Sequence, residues 1–167
     1  MNKYYTPQQL AYFIYDNNLN LIETNKLIEE LYHKEYAFID SKYYNEKNLF
    51  KKNTNRYVYF LLFEEEFKQE IMKEKNNNYL DEFTEFIKIA SNFFIITRLT
   101  LIFDKQYLRI KLRTLLRLYG YKRKTSSIIS EFHDNFIFYH LETYHKKDLK
   151  DISEFELDDW ITIKLKL

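Results

Sequence analysis

The stretch that decides the fold is residues 105–127, KQYLRIKLRTLLRLYGYKRKTSS. Its leucines recur at the three- and four-residue spacing that puts side chains on one face of a helix. The pattern predicts one amphipathic helix with Asp104 as its N-cap and its end near Tyr119. Gly120, the single glycine of the chain, follows where helices commonly end in a residue with positive φ. A second helix is expected to start around Thr125–Ser127, with apolar residues at helical spacing after it. The apolar stripe comprises Leu108, Leu112, Leu115, Leu116 and Tyr119.

The flanking sequence completes an α+β pattern. Apolar residues at helical spacing predict a helix over 80–90, and the β-favouring run Asn92–Phe103 predicts a strand. After the second helix, expected over 125–139, Leu141–His145 predicts another strand. From Ile161 to Leu167 apolar residues alternate with polar ones, which is typical of a half-buried strand.

In chain order, residues 79–167 are therefore predicted to form helix, strand, helix, turn, helix, strand, loop and strand. This order, with Gly120 in the turn between two amphipathic helices, resembles that of a winged helix-turn-helix domain. The resemblance implies binding to duplex nucleic acid. Winged helices also serve as protein-docking modules, so a protein partner is a second implication.

The N-terminal half is predicted to be helical. Thr6-Pro7-Gln8-Gln9 combines an N-cap, a proline at the first helical position and a capping box. A second helix is expected from about Thr24. The polar residues 40–56 predict a loop, whereas Tyr57–Phe63 is predicted to open another helix, because aromatic and aliphatic residues continue from it at helical spacing.

Asn76–Asn78 is the clearest break in the chain. It predicts a helical region over 1–75 and a winged-helix-like region over 79–167, with one compact domain as the alternative. The predicted fold class is therefore mostly α with a small β component, a helical N-terminal half being followed by the winged-helix-like half.

Composition excludes several kinds of site. With one glycine, the chain cannot contain a P-loop, a dinucleotide fingerprint or a nucleophile elbow. Without cysteine, it has no disulfide, thiolate nucleophile or iron–sulfur site. We expect no catalytic residue, no metal site and no cofactor, because the four histidines lack metal-ligand spacing. With neither a signal peptide nor a membrane span in the sequence, we expect a cytoplasmic protein.

Charge is segregated along the chain. Residues 105–124 carry eight basic and no acidic side chains, so the other residues carry a net charge of −7, given +1 for the whole chain. On the predicted helix, basic residues four apart from Lys105 to Arg117 form a row beside the apolar stripe. Such a row next to a helix N-terminus is typical of a nucleic-acid interface. The candidate binding residues are Lys105, Arg109, Arg113, Arg117, Lys122, Arg123, Lys124, Thr125, Ser126, Ser127 and Ser130.

The first hypothesis is thus a non-enzymatic nucleic-acid-binding protein, with duplex as the expected form and a homodimer left open. Alternatively, the basic residues pair with acidic ones such as Asp158 and Asp159 or with an acidic protein. A compact, glycine-poor domain without a catalytic motif also resembles small phage or mobile-element proteins, including anti-CRISPR-type inhibitors and defence-related interaction modules that bind nucleic-acid-binding complexes. A third hypothesis is a Mg²⁺-dependent nuclease built from Asp40, Glu66 and Lys68, which requires Tyr57–Phe63 to be a strand.

Overall fold

The computed structural model describes residues 3–73, 90 and 92–167, and among these the side chains of all but 64–73. The chain forms two compact units, residues 1–95 and 96–167. Helices predominate, and the four strands of the described residues form one antiparallel sheet in the second unit. The predicted fold class, mostly α with a small β component, is confirmed. The predicted break at Asn76–Asn78 lies outside the described residues.

The first unit contains α1 (Pro7–Asp16), α2 (Leu21–Lys34) and α3 (Lys47–Lys73). The predicted capping box of α1 is present, with the Thr6 hydroxyl accepting from the backbone of Gln9. The second helix begins three residues before the predicted Thr24, because Asn20 caps it. Helix α1 packs against α3.

The predicted loop over 40–56 is wrong. A short 3-10 helix, Ser41–Tyr43, is followed directly by α3, which begins at Lys47 and includes the correctly predicted helical segment Tyr57–Phe63. Phe50 explains the difference, because its fully buried ring contacts Tyr43 edge-to-face at 5.3 Å between centroids. The buried Phe50 side chain therefore anchors a segment, residues 40–56, whose sequence is otherwise largely polar.

The second unit begins within α4 (Phe93–Phe103) and contains two further helices, α5 (Leu112–Leu118) and α6 (Ser126–Phe138). Its sheet has the order β1-β4-β2-β3 with every neighbouring pair antiparallel. The strands are β1 (Leu108–Lys111), β2 (Leu141–His145), β3 (Asp148–Leu149) and β4 (Trp160–Leu165).

Two predictions upstream of the turn are wrong. Asn92–Phe103 forms a helix rather than a strand, since the Asn92 side chain accepts hydrogen bonds from the backbone of Phe94 and Ile95, which caps α4. Asp104 ends that helix instead of starting one, because its N–H donates to Thr100. The expected single helix from Asp104 to Tyr119 is divided into β1 and α5, since Leu108–Lys111 pairs with Trp160–Ile163 of β4.

The remainder of the second unit follows the prediction. Gly120 has φ +79°, and the N–H of the next residue, Tyr121, returns to the Leu116 carbonyl at 2.9 Å. Thr125 caps α6 by accepting from Ile128, and β2 and β4 lie where alternation placed them. The helix predicted over 80–90 lies outside the described residues, apart from residue 90. The second unit otherwise keeps the predicted order of elements, with the short strand β3 added and with its first strand and helix formed by other residues than predicted. Its buried core includes Leu112, Leu115, Leu116, Ile128, Phe132, Tyr139, Ile161 and Ile163.

Candidate nucleic-acid interface

The basic residues of segment 105–124 lie on a loop, a strand, a helix and a turn rather than on one helix. Lys105 is in the loop after α4, Arg109 is on β1, and Arg113 and Arg117 are on α5. The predicted row along one helix flank is therefore wrong, because a strand has a two-residue and a helix a 3.6-residue side-chain period. Lys122, Arg123 and Lys124 lie in the turn between α5 and α6, as predicted.

The carboxylate of Asp158 interacts with three cations of segment 105–124. Nε and Nη2 of Arg113 donate to the two carboxylate oxygens of Asp158 at 2.9 and 3.1 Å. These hydrogen bonds lower the pKa of Asp158, and the positive charges of Lys111 and Arg117 lower it further. The same pair raises the pKa of Arg113. We call Lys111, Arg113 and Arg117, with Asp158, the basic cluster; its net charge is +2. For Arg113, the predicted alternative of an internal acidic partner is realised.

Trp160 lies beside the basic cluster, and it is not among the binding residues predicted from the sequence. The Arg109 guanidinium carbon is 5.0 Å and the Lys111 ammonium 5.3 Å from the centroid of its ring. Lys111 is the direct cross-strand partner of Trp160, and Arg109 is the partner of Thr162. The alternation of residues 160–165 could have placed Trp160 on the solvent face, but its pairing with β1 spans about 50 residues and leaves no local signal.

The turn contains three exposed cations, of which Lys124 is held by the protein. Lys124 Nζ donates to the carbonyls of Ser153 and Phe155 at 2.7 and 2.8 Å, which ties the start of α6 to the loop before β4. Lys122 and Arg123 are exposed. Of the eight basic residues in 105–124, Arg113 alone forms an ion pair within the described part of the chain.

The predicted hydroxyl residues lie at the start of α6, and three of them line a pocket of about 620 Å³. Thr125 uses its hydroxyl as the helix cap, and Ser127 and Ser130 are exposed. Glu131 and Asp134 are exposed on the same helix, so its surface is of mixed charge. The pocket is lined by Lys124, Thr125, Ser126, Ile129, Ser130, His133, Asp151 and Ser153.

A histidine–aspartate pair forms one wall of this pocket. His133 Nδ1 lies 2.5 Å from a carboxylate oxygen of Asp151. Desolvation raises the pKa of Asp151, but hydrogen bonds from Ser153 and His133 together outweigh it, so the pKa is lowered. The pair joins α6 to the 3-10 helix Ile152–Glu154.

The nuclease hypothesis requires a strand over Tyr57–Phe63, and the structure has a helix there. Residues 57–63 belong to α3 and not to a strand. The Asp40 carboxylate accepts from the backbone of Lys42 and caps a 3-10 helix. The side chains of Glu66 and Lys68 lie outside the described residues. Among the described side chains, no group of three or more His, Asp or Glu residues is placed to hold a metal ion.

Comparison with known proteins identifies no family for this chain. No protein-family model matches the chain, and neither the search of curated proteins nor that of solved structures found a significant match. Within the described ranges, no helix is both long and apolar enough to cross a bilayer.

Proposed function

We propose that this chain is a non-enzymatic nucleic-acid-binding protein that contacts the phosphate backbone through segment 105–127. One observation carries the proposal: eight basic side chains and no acidic one lie within twenty residues of a chain whose remainder is acidic. A local excess of positive charge attracts a polyanion and raises its association rate.

We assign two roles to these residues. Arg113 and Lys124 are held by protein acceptors, so they maintain the fold around the site. The exposed cations form the phosphate contacts, and the hydroxyls of Ser126, Ser127 and Ser130 lie beside them at the start of α6. The phosphate-contacting set is Lys105, Arg109, Arg117, Lys122 and Arg123, all of them exposed.

Salt dependence tests the proposal. Five phosphate contacts predict a slope of log K against log salt of roughly −4 to −5 for duplex DNA. Replacing Arg117→Glu and Arg123→Glu together should weaken binding to every sequence and flatten the slope by about 2. The matched control is Lys26→Glu with Lys52→Glu, two exposed lysines of the first unit whose reversal changes the net charge by the same amount. Equal losses in both double variants would contradict the proposal.

The basic cluster also permits a gain-of-function test. Asp158→Asn removes the one carboxylate of the cluster and releases Arg113 for a further phosphate contact. We expect tighter binding and a slope steeper by about 0.9. Asp148→Asn, an exposed carboxylate on β3, is the control and should leave the slope unchanged. Weaker binding by Asp158→Asn would mean that phosphates do not approach the cluster.

The second candidate function is protein binding, as an inhibitor or interaction module. It is favoured by two adjacent apolar side chains at the start of α2, since Leu21 is 66% and Ile22 78% exposed. In that case nucleic acid should bind with a Kd no tighter than about 10⁻⁴–10⁻⁶ M, as non-specific contacts do. A host protein would then be captured by the wild-type chain and lost with Leu21→Ser and Ile22→Ser.

A further inference from the structure

The solvent face of the sheet combines aromatic and cationic side chains. Side chains alternate between the faces of a strand, and the buried Ile161 and Ile163 of β4 define the inner face. The outer face therefore includes Trp160, and the strand register places Arg109, Thr162 and Tyr144 in one row across three strands. The outer face comprises Arg109, Lys111, Glu142, Tyr144, Leu149, Trp160, Thr162 and Lys164.

Each aromatic ring on this face has a cation above it. Trp160 has two, Arg109 and Lys111, and remains 46% exposed. The Lys164 ammonium lies 5.0 Å from the centroid of the Tyr144 ring, and the Tyr144 hydroxyl donates to Glu142 at 2.7 Å. Glu142 is a carboxylate of the outer face itself. Asp158 belongs to the basic cluster, which adjoins this face at Lys111. The outer face and the basic cluster together carry five cations, Arg109, Lys111, Arg113, Arg117 and Lys164, against these two carboxylates, which favours an anionic occupant.

We propose that this outer face binds single-stranded nucleic acid, with Trp160 as the platform on which an unpaired base stacks. The inference rests on the proposed function and specifies its substrate. A base that stacks on the 46% exposed indole replaces a cation over the ring, and the two cations then neutralise the phosphates on either side of that base. Paired bases inside a duplex are already stacked on their neighbours and cannot use it.

The spacing on the sheet suits more than one nucleotide. Tyr144 is the cross-strand partner of Thr162, so Trp160 is its diagonal neighbour, and diagonal neighbours on one face are about 7–8 Å apart. Sheet faces with two aromatic side chains at such positions stack successive bases in RNA-binding modules. Tyr144 is therefore the second stacking position, and Lys164 is its phosphate contact.

Trp160 is also the chain's single tryptophan, so its fluorescence reports the platform directly. The full-length protein is titrated with oligothymidylate of about 12 nucleotides, within the range of roughly 4–16 that such sites cover, and with an abasic strand of equal length. Stacking predicts quenching by oligothymidylate and none by the abasic strand. It also predicts tighter binding to oligothymidylate than to a duplex.

Substitution provides the second measurement. Trp160→Leu should weaken binding to oligothymidylate about 5- to 150-fold and leave abasic binding unchanged, whereas Trp160→Phe should retain most of the affinity. Tyr59→Leu removes a 74% exposed aromatic from α3 and is the control, with no effect expected. The comparison of strands in the wild-type protein does not depend on how any variant folds.

The outcomes separate the two proposals. Salt-dependent binding with equal affinity for the base-containing and abasic strands, or without quenching, overturns the stacking platform and leaves phosphate binding intact. A preference for duplex over oligothymidylate also overturns it. Absence of binding to any strand overturns both proposals.

Discussion

Removal of the Leu112 side chain tests the packing of the second unit most directly. Leu112 is the first residue of α5 and is fully buried. Leu112→Ala deletes three buried carbon atoms at about 0.8 kcal/mol each, or roughly 2.4 kcal/mol of transfer free energy. The cavity left behind adds to this, so the free energy of unfolding should fall by about 2.5–5 kcal/mol. The assay is urea denaturation followed by fluorescence of Trp160, which reports the unit that contains it.

Leu118→Ala is the matched control, because it makes the same chemical change at the other end of the same helix. Leu118 is 61% exposed. Its loss should be within about 0.5 kcal/mol, as for most surface substitutions. A cost below about 1 kcal/mol for Leu112→Ala, or equal costs for the two variants, would refute the placement of Leu112 in the core.

Three further predictions concern single interactions of the second unit. Gly120→Ala should cost roughly 1–2 kcal/mol in the same urea assay and Gly120→Asn less, because φ is +79° and no atom lies near the added Cβ, so only backbone strain contributes. Arg98→Met should lower the free energy of unfolding by about 1.5–3 kcal/mol, because the buried guanidinium donates at 2.6 Å to the Tyr139 carbonyl at the end of α6. An unchanged or higher free energy of unfolding would contradict this. For Asp151, whose folded pKa is lowered, the carboxylate stabilises the fold above its unfolded pKa of about 3.9, and this contribution is lost as pH falls through the folded pKa. Asp151→Asn should therefore lower the urea midpoint near neutral pH by an amount that shrinks as the pH falls through the folded pKa of Asp151, and a difference that grows on acidification would contradict the assigned sign.

Much of the fold was predictable where the signal is local. The capping box at Thr6, the positive φ of Gly120 and the cap at Thr125 depend on groups within four residues of each other. The strand β4 was predictable because its alternation appears only when one face is buried. For the candidate site, the concentration of basic residues in 105–124 is a property of the sequence alone, and so is the hydroxyl run at the start of α6.

The tertiary structure decided what depends on distant partners. Leu108–Lys111 satisfies both a helical stripe and a strand, and its pairing with β4, about 50 residues later, selects the strand. That choice places Arg109 and Lys111 on Trp160 and disperses the row of basic residues expected on a single helix. Likewise Arg113 meets Asp158 only after the chain has folded. Local hydrogen bonds and φ preferences act between neighbours along the chain and can be predicted from sequence. Strand pairing and ion pairs between remote residues depend on which apolar faces are buried together, and only the folded chain determines that.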